Sequence, residues 1–550
     1  MIIADIKDGV IMRSEEQLSL KMLQEKNEGL LNLKEASVWA SWYLNRKVTI
    51  SNISYLIQYG RITNHGNNGN PLIDKNELKN YYDSLNKKIQ SQKVLNKDIN
   101  WHLSFVEYKE AERTKHVHRL HPYKGKFIPQ LVEYFLDSHT DEFKRQVYFR
   151  SGDIVLDPFC GSGTTLVQAN ELGMHALGID ISFFNALISN VKVKKHNLAE
   201  ISKAIYDLTA KLKTFVKNKN NISFETELLY ELARFNTHYF PSPEFKRRVR
   251  NKEIDEITYA REKEKEFLPI YNNLIKKYHI KVQQDKNDTF LDKWFLQPVR
   301  EEIDFLSREI QSIEDTDIRN VLTIILSRTV RSCRATTHAD LATLKEPVTT
   351  TYYCKKHGKI CKPIFSIMNW WQVYTEDTLN RLREFDKLRT NTLQICLIGD
   401  SRTIDIYEET KKVDPEFAEL LRQKKLKGIF SSPPYVGLID YHEQHAYAYE
   451  IFGFERRDEL EIGPLFKGQG NEARASYVRG IAEVLKNCKK YLQKDYDIFL
   501  VANDKYNLYP QIADLSGMKI IHQFKRPVLN RVEKDRETLY SESIFHLKEK

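Results

Sequence analysis

Residues Asp153 to Asp180 read DIVLDPFCGSGTTLVQANELGMHALGID, and few folds accept that succession of residue types. The apolar run Asp153 to Phe159 predicts a short buried strand, GSGTTLVQANELG a loop turning into a helix, and His175 to Asp180 a second strand. A strand, glycine loop, helix and strand in that order imply a parallel, doubly wound α/β sheet. Upstream, KGKFIPQLVEYFL (Lys124 to Leu136) predicts an amphipathic helix with Pro129 near its start. Strand patterns return late, in LQICLIGD (Leu393 to Asp400), LKGIFSSPPY, YDIFLVAND (Tyr496 to Asp504) and SIFHLKEK. From about Asn197 to Thr390 the chain reads as charged helical material without strand alternation. One sheet interrupted by a large, mainly helical insertion is therefore expected.

At 550 residues the chain is too long for a single compact core, and two or three domains are expected. Near the N-terminus, LNLKEASVWASWYL and SNISYLIQYGRI have helical spacing, the second capped by Thr49 or Ser51; NHGNNGN is a polar turn, and Asp74 caps a third helix. That outline fits a winged helix-turn-helix entering a DNA groove, or equally a helical cap on the main domain. The resulting boundaries are an N-terminal helical region at 1–110, the two halves of the α/β domain at 111–196 and 391–550, and the insertion at 197–390. Apolar runs fall far short of the roughly 18 residues a membrane helix needs, and six cysteines do not make a disulfide framework, so a cytoplasmic chain with reduced thiols is expected. The net charge of +10, diluted over the whole length, is compatible with a polyanionic partner and identifies none.

DPFCGSGTT places Gly161 and Gly163 where a strand meets a helix, so the backbone can approach a ligand that the helix-end amides face. A dinucleotide fingerprint needs a third glycine where Leu166 stands, and a phosphate loop needs a Gly-Lys-Ser/Thr that is missing. Asp180, 23 residues beyond Asp157, is placed to accept hydrogen bonds from two ribose hydroxyls, which points to a nucleoside cofactor.

Together DPFCGSGTT, GID and SSPPY resemble the amino-methylating DNA methyltransferases that use S-adenosylmethionine, and Ser-Pro-Pro-Tyr resembles their cytosine-N4 branch. The resemblance implies a Rossmann-like S-adenosylmethionine-dependent methyltransferase sheet. HPYKGKFIPQL (His121 to Leu131) is similar to the helix that closes over the methionine end of the cofactor, bringing in Tyr123, Lys126 and Phe127. GDSR (Gly399 to Arg402) resembles the motif that places Asp400 and Ser401 by the adenine, and DYHEQHAYAYEIFG the segment beside cofactor and base. The family's cofactor loop carries over onto Asp157, Pro158, Phe159, Gly161, Gly163 and Thr164, and its second strand end onto Asp180 and Ile181.

The base-binding positions would be Ser432, Pro433, Pro434 and Tyr435. An exocyclic amine is a poor nucleophile because its lone pair is delocalised into the ring. The Ser432 hydroxyl and a Pro433 carbonyl fixed by the proline's locked φ can accept its hydrogens, while Tyr435 offers a stacking face to an extruded base. Methylation at cytosine C5 needs a Pro-Cys pair, which is absent.

The implied activity is modification of double-stranded DNA in a restriction-modification system, with a cognate endonuclease encoded nearby and not necessarily in contact. Adenine-N6 methylation, an RNA or tRNA base methyltransferase, and a non-catalytic DNA-binding regulator are the alternatives. In the insertion, Cys354, His357 and Cys361, with Cys333 and His338 upstream, offer nitrogen and sulfur ligands for a structural zinc, or are plain polar-loop residues. Arg328, Arg331 and Arg334 fit either phosphate contacts or a solvated helix face, and Trp370-Trp371 reads as core.

Overall fold

The computed structural model describes residues 29–44, 48–58, 61–66, 70–84, 99–105, 108, 110–123, 125–141, 143–217, 219–338, 344, 346–528 and 541–550. They form two compact units, one comprising residues up to 98 together with Pro241–Glu253, the other the remainder. In the first, β1 (Leu30–Asn32) leads into α1 (Leu33–Tyr43), whose capping box is Asn32 with Glu35. Thr49 caps α2 (Ile50–Gln58) through Asn52 N–H at 3.2 Å. A third helix, α3 (75–84), follows β2 (Leu72–Asp74), and Glu77 N–H donates to Asp74 at 2.8 Å. The ribbon here pairs β2 with β1, a strand that precedes both helices, around a core of Trp39, Ile53, Ile73 and Leu78. Part of the expected wing, residues 67–69, lies outside the described residues. Helix Glu244–Arg250 belongs to the same unit, Arg250 donating to Ile57 O at 3.4 Å.

The second unit is built on a mostly parallel seven-stranded sheet. Its helical element before the sheet, α4 (Pro129–Leu136), is shorter than the pattern from Lys124 suggests, because proline starts the helix at its first position. Then come β3 (Ile154–Asp157), α5 (Thr164–Glu171), β4 (His175–Asp180) and α6 (Phe183–Val193). A helical stretch follows: α7 (Leu198–Lys217), α8 (Asn221–Tyr239), α9 (Glu256–Tyr278), α10 (Gln297–Gln311) and α11 (Thr316–Ser332). A small ribbon of β5 (Tyr352–Cys354) and β6 (Lys359–Cys361) precedes α12 (Met368–Asp386). The sheet resumes with β7 (Gln394–Ile398), β8 (Leu426–Ser431), α13 (Asn471–Lys489), β9 (Leu492–Ala502), β10 (Met518–Pro527) and β11 (Ser541–Glu549).

The strand order is β10-β11-β9-β8-β3-β4-β7. Neighbours from β9 to β7 run parallel, whereas β11 is antiparallel to both β9 and β10. The central strands bury both faces, which is why Leu156, Leu177, Ile179, Ile429 and Ile498 read as apolar runs. From β3 the chain steps outward to β4 and β7 and returns on the other side as β8, so the connections diverge between β3 and β8. In such sheets a ligand cleft forms at the carboxyl ends where this divergence occurs.

Two local readings change, and of the tryptophan pair Trp371 is core as read. β10 escaped the pattern because its middle residues, His522 and Gln523 among them, are exposed on an outer strand. Arg328 is neither solvated nor available to phosphate: it is buried, paired with Asp377, and donates to Thr378 Oγ1 at 2.8 Å. Trp371 is fully buried and donates to Thr209 at 2.9 Å, whereas Trp370 is half-buried against Tyr374. Among the described residues, no helix is long and apolar enough to cross a membrane.

Candidate active site

At the end of β3 the chain turns sharply, Gly161 at φ +52° and Gly163 at φ +74°. Asp180, ending β4, holds that turn by accepting from Gly161 N–H at 2.7 Å, while its other oxygen takes Ser182 N–H at 2.9 Å and Asn185 Nδ2 at 3.1 Å. A carboxylate has about four acceptor positions, so these three bonds leave Asp180 roughly one for a ligand. Lys192, fully buried on α6, donates to Ser162 O at 2.5 Å from behind the loop. Burial disfavours its charge and holds its pKa well below the ordinary lysine value.

Across the divergence, Ser431 at the end of β8 donates to Asp157 Oδ1 at 2.5 Å, and Phe159 N–H donates to the same oxygen at 3.2 Å. Ser401, after β7, donates to Pro158 O at 2.7 Å. Three strand ends are thus sewn to one loop. Burial raises the pKa of both Asp157 and Asp180 to about 6.

These strand ends open on a pocket lined by residues from the glycine loop, the ends of β4 and β7, and the Ser432 loop. Every residue expected at a cofactor lines it except Gly163. Gly163 serves packing instead: a Cβ there would come within 3.1 Å of the Ser189 backbone. Gly161 faces the Tyr123 ring, which lies against Tyr441 at a centroid distance of 6.0 Å. Asp400 is chelated by Arg402, with Nη2 at 2.7 Å. Ser432 and Pro434 reach the same pocket; Pro433 is buried and Tyr435 half-buried outside its lining. The Ser432 hydroxyl donates to Val501 O at 3.1 Å, and Tyr435 donates to Glu542 at 3.1 Å.

Residues 19–191 match a family model described as a DNA methylase, of the N6/N4 methyltransferases. Over 94% of this chain and 97% of its own length, a type II methyltransferase of Methanocaldococcus jannaschii, M.MjaII, is 47% identical. The chain belongs to the type II DNA methyltransferases. Shorter likenesses connect this methyltransferase with M.MvaI of Kocuria varians, 33% identical over 23% of the chain and 24% of the relative, and with M.BsoBI of Geobacillus stearothermophilus, 31% over 20% and 21%.

Methyltransferases of this family use S-adenosylmethionine, and the pocket's chemistry suits it. Asp180 and Asp400 bring carboxylates for hydroxyl and amine donors, and Phe159, Ile181, Leu460 and Ile462 bring apolar walls. Two buried wall atoms, Ser162 Oγ and Asn185 Oδ1, have no partner among the described protein atoms. Buried polar groups without partners are rare, and both face-lining residues are suited to a polar ligand.

Sequence reasoning passed over Asn185, Glu461 and Ile462. Glu461 is buried and accepts from His442 N–H at 3.0 Å, closing the segment that carries Tyr441 onto the pocket. Nothing near Glu461 in sequence marks it. Asn185 had a signal, five residues beyond Asp180 on the following helix, where its amide reaches back to that carboxylate. His121 is also held from afar, its Nε2 3.0 Å from Ser327 Oγ on α11.

Of the expected zinc ligands, His338, Cys354, His357 and Cys361 come together, their ligand atoms within 4.8 Å of one another. Cys333 does not join them. It caps the end of α11, and its sulfur is not among the donor atoms that cluster.

Proposed function

We propose that this methyltransferase modifies the exocyclic N4 amine of cytosine in double-stranded DNA, as the modification half of a restriction-modification system. The observation that carries the reading is the Ser432 hydroxyl. Its proton is committed to Val501 O at 3.1 Å, so its lone pairs remain as acceptors on a side chain that lines the pocket.

In this reading Ser432 Oγ and the Pro433 carbonyl each accept a hydrogen of the target amine. Their joint pull bends the nitrogen out of the ring plane and localises its lone pair. Pro433 and Pro434 restrict the backbone through locked φ angles, so the carbonyl's aim costs little entropy. Bound S-adenosylmethionine supplies an activated methyl group. Tyr123 and Tyr441 wall the pocket on the side of the glycine loop, and in this reading Tyr435 offers a ring to an extruded base. No covalent attachment of the base to the protein is required. The helical stretch from Leu198 to Asp386 and the N-terminal unit are proposed to grip and read the duplex.

The residues forming the SPPY segment favour cytosine, whereas the matching family model spans both N6 and N4 chemistry. Duplex DNA incubated with the enzyme and cofactor, then digested to nucleosides and resolved by mass spectrometry, should contain N4-methylcytosine. N6-methyladenine in its place would transfer the reading to the adenine branch, and methylation of tRNA alone would overturn the DNA substrate.

A further inference from the structure

The ribbon of β5 and β6 is too small to stand on its own. Each strand has three residues, and its hydrophobic cluster consists of Tyr352, Cys354 and Cys361 with Val348 beside them. A two-stranded hairpin is marginal in water even when larger than this. Two of the three cluster members are thiols, both buried, and His357 Nδ1 stands 3.5 Å from Cys361 Sγ. The turn that makes this approach possible passes through Gly358 at φ +63°. His338 arrives from the segment after α11, its ring centroid 4.3 Å from that of His357.

We propose that His338, Cys354, His357 and Cys361 bind a structural zinc ion. Zn–N and Zn–S bonds of roughly 2.0–2.3 Å set tetrahedron edges of roughly 3.3–3.8 Å, and the four donor atoms already lie within 4.8 Å of one another, so small side-chain movements close the sphere. Two thiolates and two neutral imidazoles balance the ion's charge. The second layer is in place: Tyr352 OH meets His338 Nδ1 at 2.8 Å, leaving Nε2 as the ligand nitrogen. With four protein ligands no position is open for a reacting water, which makes the site structural.

The ion would fasten more than the ribbon. Ile360 exchanges two hydrogen bonds of 2.9 Å with the Asn236 side chain on α8, and Tyr353 OH donates to Glu256 at the start of α9 at 2.7 Å. Phe240 packs on the Tyr353 ring at 5.5 Å. Through these contacts the ribbon ties α8 to α9.

The test is metal analysis of the full-length chain, expressed with zinc and purified without chelator. One zinc per chain is expected by elemental mass spectrometry, retained in Cys333→Ser and lost in Cys354→Ser and Cys361→Ser. Loss from Cys333→Ser equal to that from Cys361→Ser, or metal-free wild type, would overturn the assignment. Because a ligand variant can fail to fold, the wild type is also reconstituted with Co²⁺ alone. Intense tetrahedral d–d absorption with a thiolate-to-cobalt band supports the site; the weak spectrum of an octahedral ion would sink it.

Discussion

The glycine loop and the Ser432 loop face the same pocket and are built on opposite plans. Around Gly161 the backbone is braced by buried side chains: Asp180 holds the turn, Lys192 holds Ser162 O, and Asp157 ties to Ser431, which leaves Ser162 Oγ and Asn185 Oδ1 for a ligand. At Ser432 the side chain donates to Val501 O, and two prolines set the backbone. A network of buried bonds suits a region that must bind one fixed ligand. A stiff loop with spare acceptors suits one that must receive a base arriving from outside. The difference implies that damage to the first registers in stability and cofactor affinity, and damage to the second in rate.

The sharpest way to break this comparison is Ser432→Ala. Removing one aligned partner of a developing transition state costs on the order of 100- to 1,000-fold, about 3–4 kcal/mol. The methyl-transfer rate should fall by that amount while the dissociation constant for S-adenosylmethionine, measured by titration calorimetry, stays within about threefold. A variant that loses cofactor affinity and keeps its single-turnover rate would erase the distinction between the loops.

Asp157→Asn probes the other side through pH. Burial lifts the folded pKa of Asp157 from the ordinary 3.8 to about 6. The folded state therefore binds more protons than the unfolded chain between those values, and the stability this contributes is present below about pH 4 and lost as pH rises through 6. Roughly two units correspond to about 3 kcal/mol, a cost that the amide variant escapes at pH 7.5, because its Oδ1 can still accept from Ser431 and Phe159 N–H. Thermal denaturation of the ligand-free protein should show the variant gaining on wild type at pH 7.5 and converging with it near pH 4. Destabilisation at both pH values would mean that the Asp157 carboxylate is a structural asset and not a retained functional charge.

How far these two loops were readable beforehand follows from how local their parts are. β3, the glycine turn, α5 and β4 are consecutive, so periodicity and glycine placement were enough to order them. Asp400 and Ser401 were placed by a motif at the end of a strand in the same way. What was missed depends on partners far along the chain. Gly163 reads as a ligand glycine until α6 presents Ser189 against it, and Arg328 reads as solvated until Asp377 closes on it from α12. Cys333 stood as a reasonable zinc ligand by spacing alone; at the end of α11 it is not among the clustered donors. Glu461 carries no periodic or motif signal because its role is set by the two N–H groups and the ring of a segment about twenty residues upstream.

A smaller effect sharpens the comparison at the glycine loop itself. Gly161 sits at φ +52°, where an L-residue pays about 1–2 kcal/mol, and an added Cβ would lie 2.9 Å from the Tyr123 hydroxyl and 3.1 Å from two ring carbons. The obstacle is a side chain and not backbone, so the Tyr123 ring can swing away from the turn. Its displacement removes one wall of the pocket and loosens its stack on Tyr441. Gly161→Ala should therefore raise the S-adenosylmethionine dissociation constant about tenfold, equivalent to about 1.4 kcal/mol, with the single-turnover rate at saturating cofactor changed less than threefold. Tyr123→Ala alone removes the same wall without the strained turn, and the double variant should bind little worse than Tyr123→Ala. If the two losses add in full, the backbone strain rather than the ring contact is what Gly161 relieves, and the turn's own hydrogen bond to Asp180 becomes the element that shapes the cofactor site.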